Sequence, residues 1–197
     1  MRPPVERGLA AAMRALATAL EELAAPHMII GGMAVIVRGV SRLTDDVDAT
    51  IWGEGLDVAG VLDVLRRHGI VGRIPDAADF ARTHQVFLLE HQESGTPMEL
   101  SLGWLPFERE AMARAERIEL MGVSVPIARA EDLVIYKAVA WRERDRTDIE
   151  RLLAGHRGQI DLQRVRRVIR EFAAALDEPE RVADLDRLIE RATGEQR

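Results

Sequence analysis

The chain has 197 residues, 47% hydrophobic and 30% charged, with a net charge of −6 and no cysteine. That length supports a full hydrophobic core; the charge balance excludes a general basic nucleic-acid surface, and the missing cysteines exclude a disulfide framework and thiolate metal sites. No apolar run is long enough to cross a bilayer, and Glu6, Arg14, Glu21 and Glu22 interrupt any signal peptide, so a cytoplasmic protein is expected, with neither membrane nor DNA among its partners.

In chain order, Leu9, Met13, Leu16, Leu20 and Leu23 recur at spacings of four and three, which predicts an amphipathic helix ending near Pro26. "HMII" (27–30) reads as a short strand running into Gly31-Gly32, "MAVIVRGV" as a short buried helix, and "VDATIW" (47–52) as a second strand bounded by Gly53. A helix over 56–69 follows. Residues 70–127 then change to short strands at 85–90 and 97–102 and a hairpin over 117–127 turning at Gly122, interrupted by a helix over 106–116. After Ala130 the pattern is helical throughout, at 131–143, 146–154, 161–176 and 179–192, with Pro179 suited to a first turn. The expected class is α+β (α/β), a small mixed sheet flanked by helices. Residues 1–130 form the core with its N-terminal helix, and 131–197 a helical C-terminal part packed on it as one compact unit.

Chemistry concentrates in "TDDVDATI". On a strand side chains alternate, so Asp46 and Asp48 share one face and stand about 7 Å apart along it. Two carboxylates so placed converge on a hard cation, and magnesium takes such oxygens while keeping positions for water and phosphate. Glu99, a lone acid in the apolar "PMELSL", is the candidate third carboxylate of a two-metal site. The plain alternative is a solvated acidic turn with Thr44 or Asp45 as a cap. Upstream, Gly31-Gly32 follows a strand and opens a helix, leaving backbone N–H groups free to cradle phosphate. Neither a Walker A nor a G-x-G-x-x-G pattern is present. The five histidines show no ligand spacing for zinc.

The basic residues are unusual: 26 are arginine and a single one, Lys137, is lysine. It is the only charge in "LVIYKAVAW", and a lysine buried there needs an anionic partner. "RVRRVIR" (164–170) reads foremost as the polar face of an amphipathic helix. Trp104 and Trp141 are read as core residues first, and as base-stacking surfaces second.

"GG-x-A" at Gly31 to Ala34 followed by "R-x-T-x-D-x-D" at Arg42 to Asp48 resembles the nucleotidyltransferase fold of the DNA polymerase β superfamily. With Glu99 in "MELSLGWLPFE" and the block "ARAEDLVIYKAVAWRERDRTDIERLL", the likeness over residues 25–155 narrows to the abortive-infection-type (AbiEii-like) toxins and their bacterial relatives. The resemblance implies Asp46, Asp48 and Glu99 as magnesium ligands, although the family more often has aspartate at the third place. It implies that Gly31 and Gly32 hold the triphosphate, with Arg42 and Thr44 of the same motif on the nucleotide side. The resemblance further implies that Lys137 faces the phosphates and that Asp148 belongs to the site, the plain alternative for Asp148 being a place in the first turn of a helix capped by Asp145.

The expected activity is magnesium-dependent transfer of NMP from a nucleoside triphosphate to an acceptor hydroxyl, with a toxin–antitoxin-like role. The favoured acceptor is RNA, a tRNA 3′ end in particular, guided by the arginine-rich helix at 161–176. A protein partner is the alternative acceptor, and a small molecule has no sequence feature behind it. A non-catalytic nucleotide- or partner-binding module is the rival from another class.

Overall fold

The computed structural model describes residues 4–194. Contacts divide the chain into two units. The first joins the described part of Met1–Met33 to Leu43–Ala128, and the second joins Ala34–Arg42 to the described part of Arg129–Arg197.

The first unit is built on a seven-stranded mixed sheet. Its strands are β1 (His27–Ile29), β2 (Val47–Trp52), β3 (Ile70–Gly72), β4 (Val86–His91), β5 (Thr96–Gly103), β6 (Glu116–Leu120) and β7 (Val123–Ile127), in the spatial order β3-β4-β5-β2-β1-β7-β6. The β2–β5 and β1–β7 pairs are parallel and the others antiparallel. Alternation explains β2 and its neighbour. Val47, Ala49 and Ile51 are fully buried on one face, as are Met98 and Leu100 in β5, while Asp48 and Glu99 occupy the other face. Each large side chain buried this way contributes about 1.5–3 kcal/mol relative to exposure.

Helix α1 (Pro4–Leu23) is amphipathic as expected: Met13, Leu16 and Leu20 are fully buried, and the helix packs on β2, β5, β7 and on α3 (Val58–Arg67). Asp57 caps α3 by accepting a 2.9 Å hydrogen bond from the Gly60 amide. Helix α5 (Pro106–Arg114) is closed at its start by Glu108, whose carboxylate accepts from the Trp104 and Leu105 amides at 2.9 and 3.0 Å. Strand β3 and helix α4 (Ala77–His84) have no counterpart in the sequence reading. Three residues are too few for alternation to show, and α4 fully buries only Ala81.

The chain enters the second unit along α2 (Gly31–Val37) and returns to it after Ala128. Its helices are α6 (Ala130–Ala140), α7 (Glu143–Gly155), α8 (Leu162–Leu176) and α9 (Glu180–Thr193). Helix α6 is apolar nearly all round because α7 and α8 both pack on it, burying Leu133, Val134, Ile135 and Ala138. Helix α8 presents Val165, Val168 and Ile169 inward, and Asp161 caps it through the Arg164 amide at 2.9 Å. Among the described residues no helix is long and apolar enough to cross a membrane.

Candidate functional site

In the first unit the candidate site lies at the beginning of β2. Asp46 immediately precedes the strand and Asp48 is its second residue, so both carboxylates project from the face opposite Val47 and Ala49. Both are half-buried. The Thr44 hydroxyl donates to Asp46 Oδ1 at 2.5 Å, which fixes that carboxylate from within its own loop.

Asp48 is held against the corner between β1 and α2. The Ile30 amide donates to the Asp48 carbonyl at 3.0 Å. Gly31, at φ +63°, sits directly against the Asp48 side chain: a Cβ there would stand 2.5 Å from Cγ and 2.6 Å from Cβ of Asp48, and closer still to Oδ2. The left-handed turn and the close approach both require glycine. Gly31 therefore makes room for a carboxylate at the start of α2. Gly32, buried, continues into the helix.

Glu99 is the register partner of Asp48 across the parallel β2–β5 pair, and Leu88 of β4 is its partner on the other side. Its carboxylate is half exposed and lies 3.6 Å from the Arg73 guanidinium. Among the described residues no three or more His, Asp or Glu gather closely enough to hold a metal ion. The expected three-carboxylate set is thus not assembled, because Glu99 turns toward Arg73. Asp46 and Asp48 remain, two hard oxygen donors on one face with a side-chain-free corner beside them. That donor chemistry fits a magnesium ion that keeps part of its own water shell.

The second unit has its own charged cluster. Lys137 on α6 is 9% exposed and is met by two α7 carboxylates, Asp145 at 3.1 Å and Asp148 at 2.7 Å. Arg42 also reaches Asp148, at 2.7 Å. Two cations thus face two anions, which is what a buried lysine requires. The other Asp145 oxygen accepts from the Arg142 amide at 3.2 Å and so caps the start of α7. From the sequence alone Asp145 is legible only as this cap. Its pairing with Lys137 depends on the α6–α7 turn at Trp141, which the helical pattern does not encode.

The arginine-rich run on α8 is largely neutralised. Arg164 is buried against Asp132 at 2.9 Å, Arg166 bonds Asp186 at 2.7 Å, and Arg167 faces Glu171 at 3.6 Å. Three of the four arginines of the run are thus matched by acids, and among the described residues only the exposed Arg170 is not. Trp104 departs from the core reading: it is 64% exposed, after the end of β5. Trp141 is half-buried.

A family model described as "nucleotidyltransferase of unknown function (DUF6036)" matches residues 7–196. The chain belongs to this family. It is accordingly a transferase of the nucleotidyltransferase type. Solved structures agree in fold. The antibiotic-resistance factor ANT(2'')-Ia aligns at 20% identity and a TM-score of 0.59, over 87% of this nucleotidyltransferase and 96% of that chain. An H. pylori protein described as a nucleotidyltransferase aligns at 15% identity and a TM-score of 0.58, over 98% and 96% of the two chains. A second ANT(2'')-Ia structure, in complex with adenylyl-2''-tobramycin, aligns at 20% identity and a TM-score of 0.53, over 85% and 98%. No curated protein matches the chain significantly in sequence.

Proposed function

We propose that this nucleotidyltransferase moves NMP from a nucleoside triphosphate to an acceptor hydroxyl in a magnesium-dependent reaction. The observation that carries the reading is Asp48 packed against Gly31 at the β1–α2 corner, with Asp46 beside it on the same face of β2. Asp46 and Asp48 would hold the ion. When bound, magnesium supplies charge neutralisation on the phosphates and a lowered pKa for a coordinated hydroxyl.

The chain's own contribution is positional. Thr44 orients Asp46, and the Ile30 amide and Gly31 fix Asp48, so the two carboxylates are in place before the nucleotide arrives. The acceptor oxygen attacks the α-phosphorus, the bond to the β-phosphate oxygen breaks, and pyrophosphate leaves with the acceptor's proton passing to solvent. Gly31 and Gly32 are assigned to the triphosphate because their corner offers backbone N–H groups without side chains. The resemblance alone assigns Arg42, Lys137 and Asp148 to the nucleotide. In the second unit these three, with Asp145, already form a charge-balanced cluster.

RNA is the favoured acceptor, a tRNA 3′ end in particular, and a toxin–antitoxin role rests on the same resemblance. A small polyhydroxylated acceptor is the second reading, favoured by the similar fold that carries adenylyl-2''-tobramycin. Transfer to a protein partner is the third outcome to be distinguished. The test is incubation with each α-labelled nucleoside triphosphate, magnesium and total bacterial RNA, tobramycin or cell protein, beside a D46A/D48A control. Label entering one acceptor class identifies it. Nucleotide binding without label in any of them would sink the transferase assignment in favour of a non-catalytic module.

A further inference from the structure

The second unit carries a basic groove that none of the assigned site residues uses. It has a volume of about 230 Å³ and is lined by Trp141, Arg146, Asp184, Arg187, Leu188 and Arg191. Three guanidinium groups thus face one carboxylate, in a protein whose net charge is −6. Arg187 pairs with Asp184 within α9, and Arg191 reaches Glu150 at 2.7 Å, yet both stay about two-thirds exposed. Arg146 is exposed, and Arg144, two residues before it on α7 and outside the groove's lining, is exposed as well. Neither guanidinium meets a carboxylate or carbonyl among the described residues. This contrasts with α8, where Arg164, Arg166 and Arg167 are all matched by acids.

Trp141 forms the apolar wall. It occupies the left-handed region at φ +53°, ψ +27°, where it ends α6 and turns the chain into α7. A bulky aromatic is strained in that conformation. The turn leaves the indole half-buried, with the Arg181 guanidinium 5.0 Å from its ring centroid. An aromatic face beside unpaired and half-paired arginines is the combination that binds single-stranded nucleic acid: the rings stack on bases and the forks take phosphates. An acidic protein surface would need the arginines but would have no use for the indole.

We infer that the groove around Trp141 and Arg146, extended by Arg144, is a docking surface for single-stranded RNA. The inference rests on the proposed transfer to RNA and names the surface that takes the acceptor's backbone. Because the rest of the protein is acidic, the groove is also a local attractor that orients a polyanion on an otherwise repelling surface.

The test uses the full chain and a fluorescein-labelled single-stranded RNA of mixed sequence, with binding read by anisotropy over a salt series. In R144E/R146E, affinity should fall at least about tenfold and the slope of log K against log salt should shrink by about 1.4, from two lost phosphate contacts. Glutamates near the start of α7 suit its dipole, so the variant should fold. In a W52F/W104F background the same RNA should quench the remaining Trp141 fluorescence. Unchanged affinity and slope in R144E/R146E would overturn the inference, as would equal affinity of the unaltered protein for polyglutamate, which would mark an acidic-protein site. Triphosphate binding is measured separately in the same samples. RNA binding without NMP transfer to it would retain the groove and reject RNA as the acceptor, and transfer to RNA without binding at the groove would do the reverse.

Discussion

Asp48 and Glu99 are register partners on the parallel strands β2 and β5, yet their carboxylates are held in opposite ways. Asp48 is pressed into the β1–α2 corner against Gly31, while Glu99 leans toward Arg73 and half of it remains in solvent. Register alone would make them equivalent. The difference between them predicts unequal consequences of neutralising each.

Asp48→Asn should lower NMP transfer by at least about 10³-fold with no loss of fold, as expected for a group that acts on the reacting phosphate. Glu99→Gln should cost about tenfold or less. Steady-state kinetics on both variants, with circular dichroism as the check on folding, decides this. Equal losses would return Glu99 to the ligand set, and Arg73→Ala, by freeing its carboxylate, should then raise the affinity for magnesium.

Gly31→Ala adds a left-handed alanine and a collision with Asp48, together about 2–4 kcal/mol. Gly55 is the control: its φ is +79° but nothing lies within 4 Å of an added Cβ, so Gly55→Ala should cost only the backbone part, about 1 kcal/mol. Urea unfolding of the two variants measures the difference. Similar costs would mean that Asp48 moves aside freely, and the displaced carboxylate should then lower NMP transfer in Gly31→Ala.

Lys137→Met leaves Asp145 and Asp148 facing only Arg42 inside the second unit, which should cost about 3–5 kcal/mol. K137M/D145N restores neutrality by leaving the Arg42–Asp148 pair, and most of the lost stability should return. Transfer separates the two uses of the lysine. If K137M/D145N is stable but inactive, Lys137 serves the nucleotide; if activity returns with stability, its role ends with the two aspartates.

Acid should weaken the first unit at an identifiable place. The Arg67 guanidinium, with His68, holds the Glu22 carboxyl below its ordinary value, and Arg117 does the same for Glu21. A depressed folded pKa means that the stabilisation is present above the unfolded value of about 4.3 and is lost as pH falls through the folded one. Both glutamates are substantially exposed, so the effect is small. Melting temperatures of the unaltered protein and of E21Q/E22Q should differ near neutrality, and the gap should close as pH falls below the ordinary carboxylate value of about 4.3. A constant gap across that range would show that the pairs contribute nothing through charge.

The sheet around β2 and β5 was legible because alternation of apolar and polar residues is a local property: Val47, Ala49, Met98 and Leu100 announce one face, and Asp48 and Glu99 the other. The Gly31 corner was legible as a feature, though the reason for the glycine, room for Asp48, needs the pairing of β1 with β2. What could not be read was long-range partnership. Nothing local ties Arg73 to Glu99, Lys137 to Asp145, or Arg164 and Arg166 to Asp132 and Asp186. Those pairs are set by how helices and strands meet, so a basic run read foremost as a polar helix face, and then as a guide for RNA, is mostly matched by acids, while Arg144 and Arg146, scattered among acids in "WRERDRTD", remain exposed. Trp104 shows the same limit, since an isolated aromatic carries no sign of which side of a turn it takes.

Lys137 has one more consequence. Acylating reagents that attack side-chain amines find a single target in this chain, and that amine is buried and clasped by two carboxylates. Its reaction therefore waits on opening of the α6–α7 contact. The rate of acylation, followed by mass spectrometry under native conditions, becomes a one-residue clock for local opening of the helical unit, installed without any mutation.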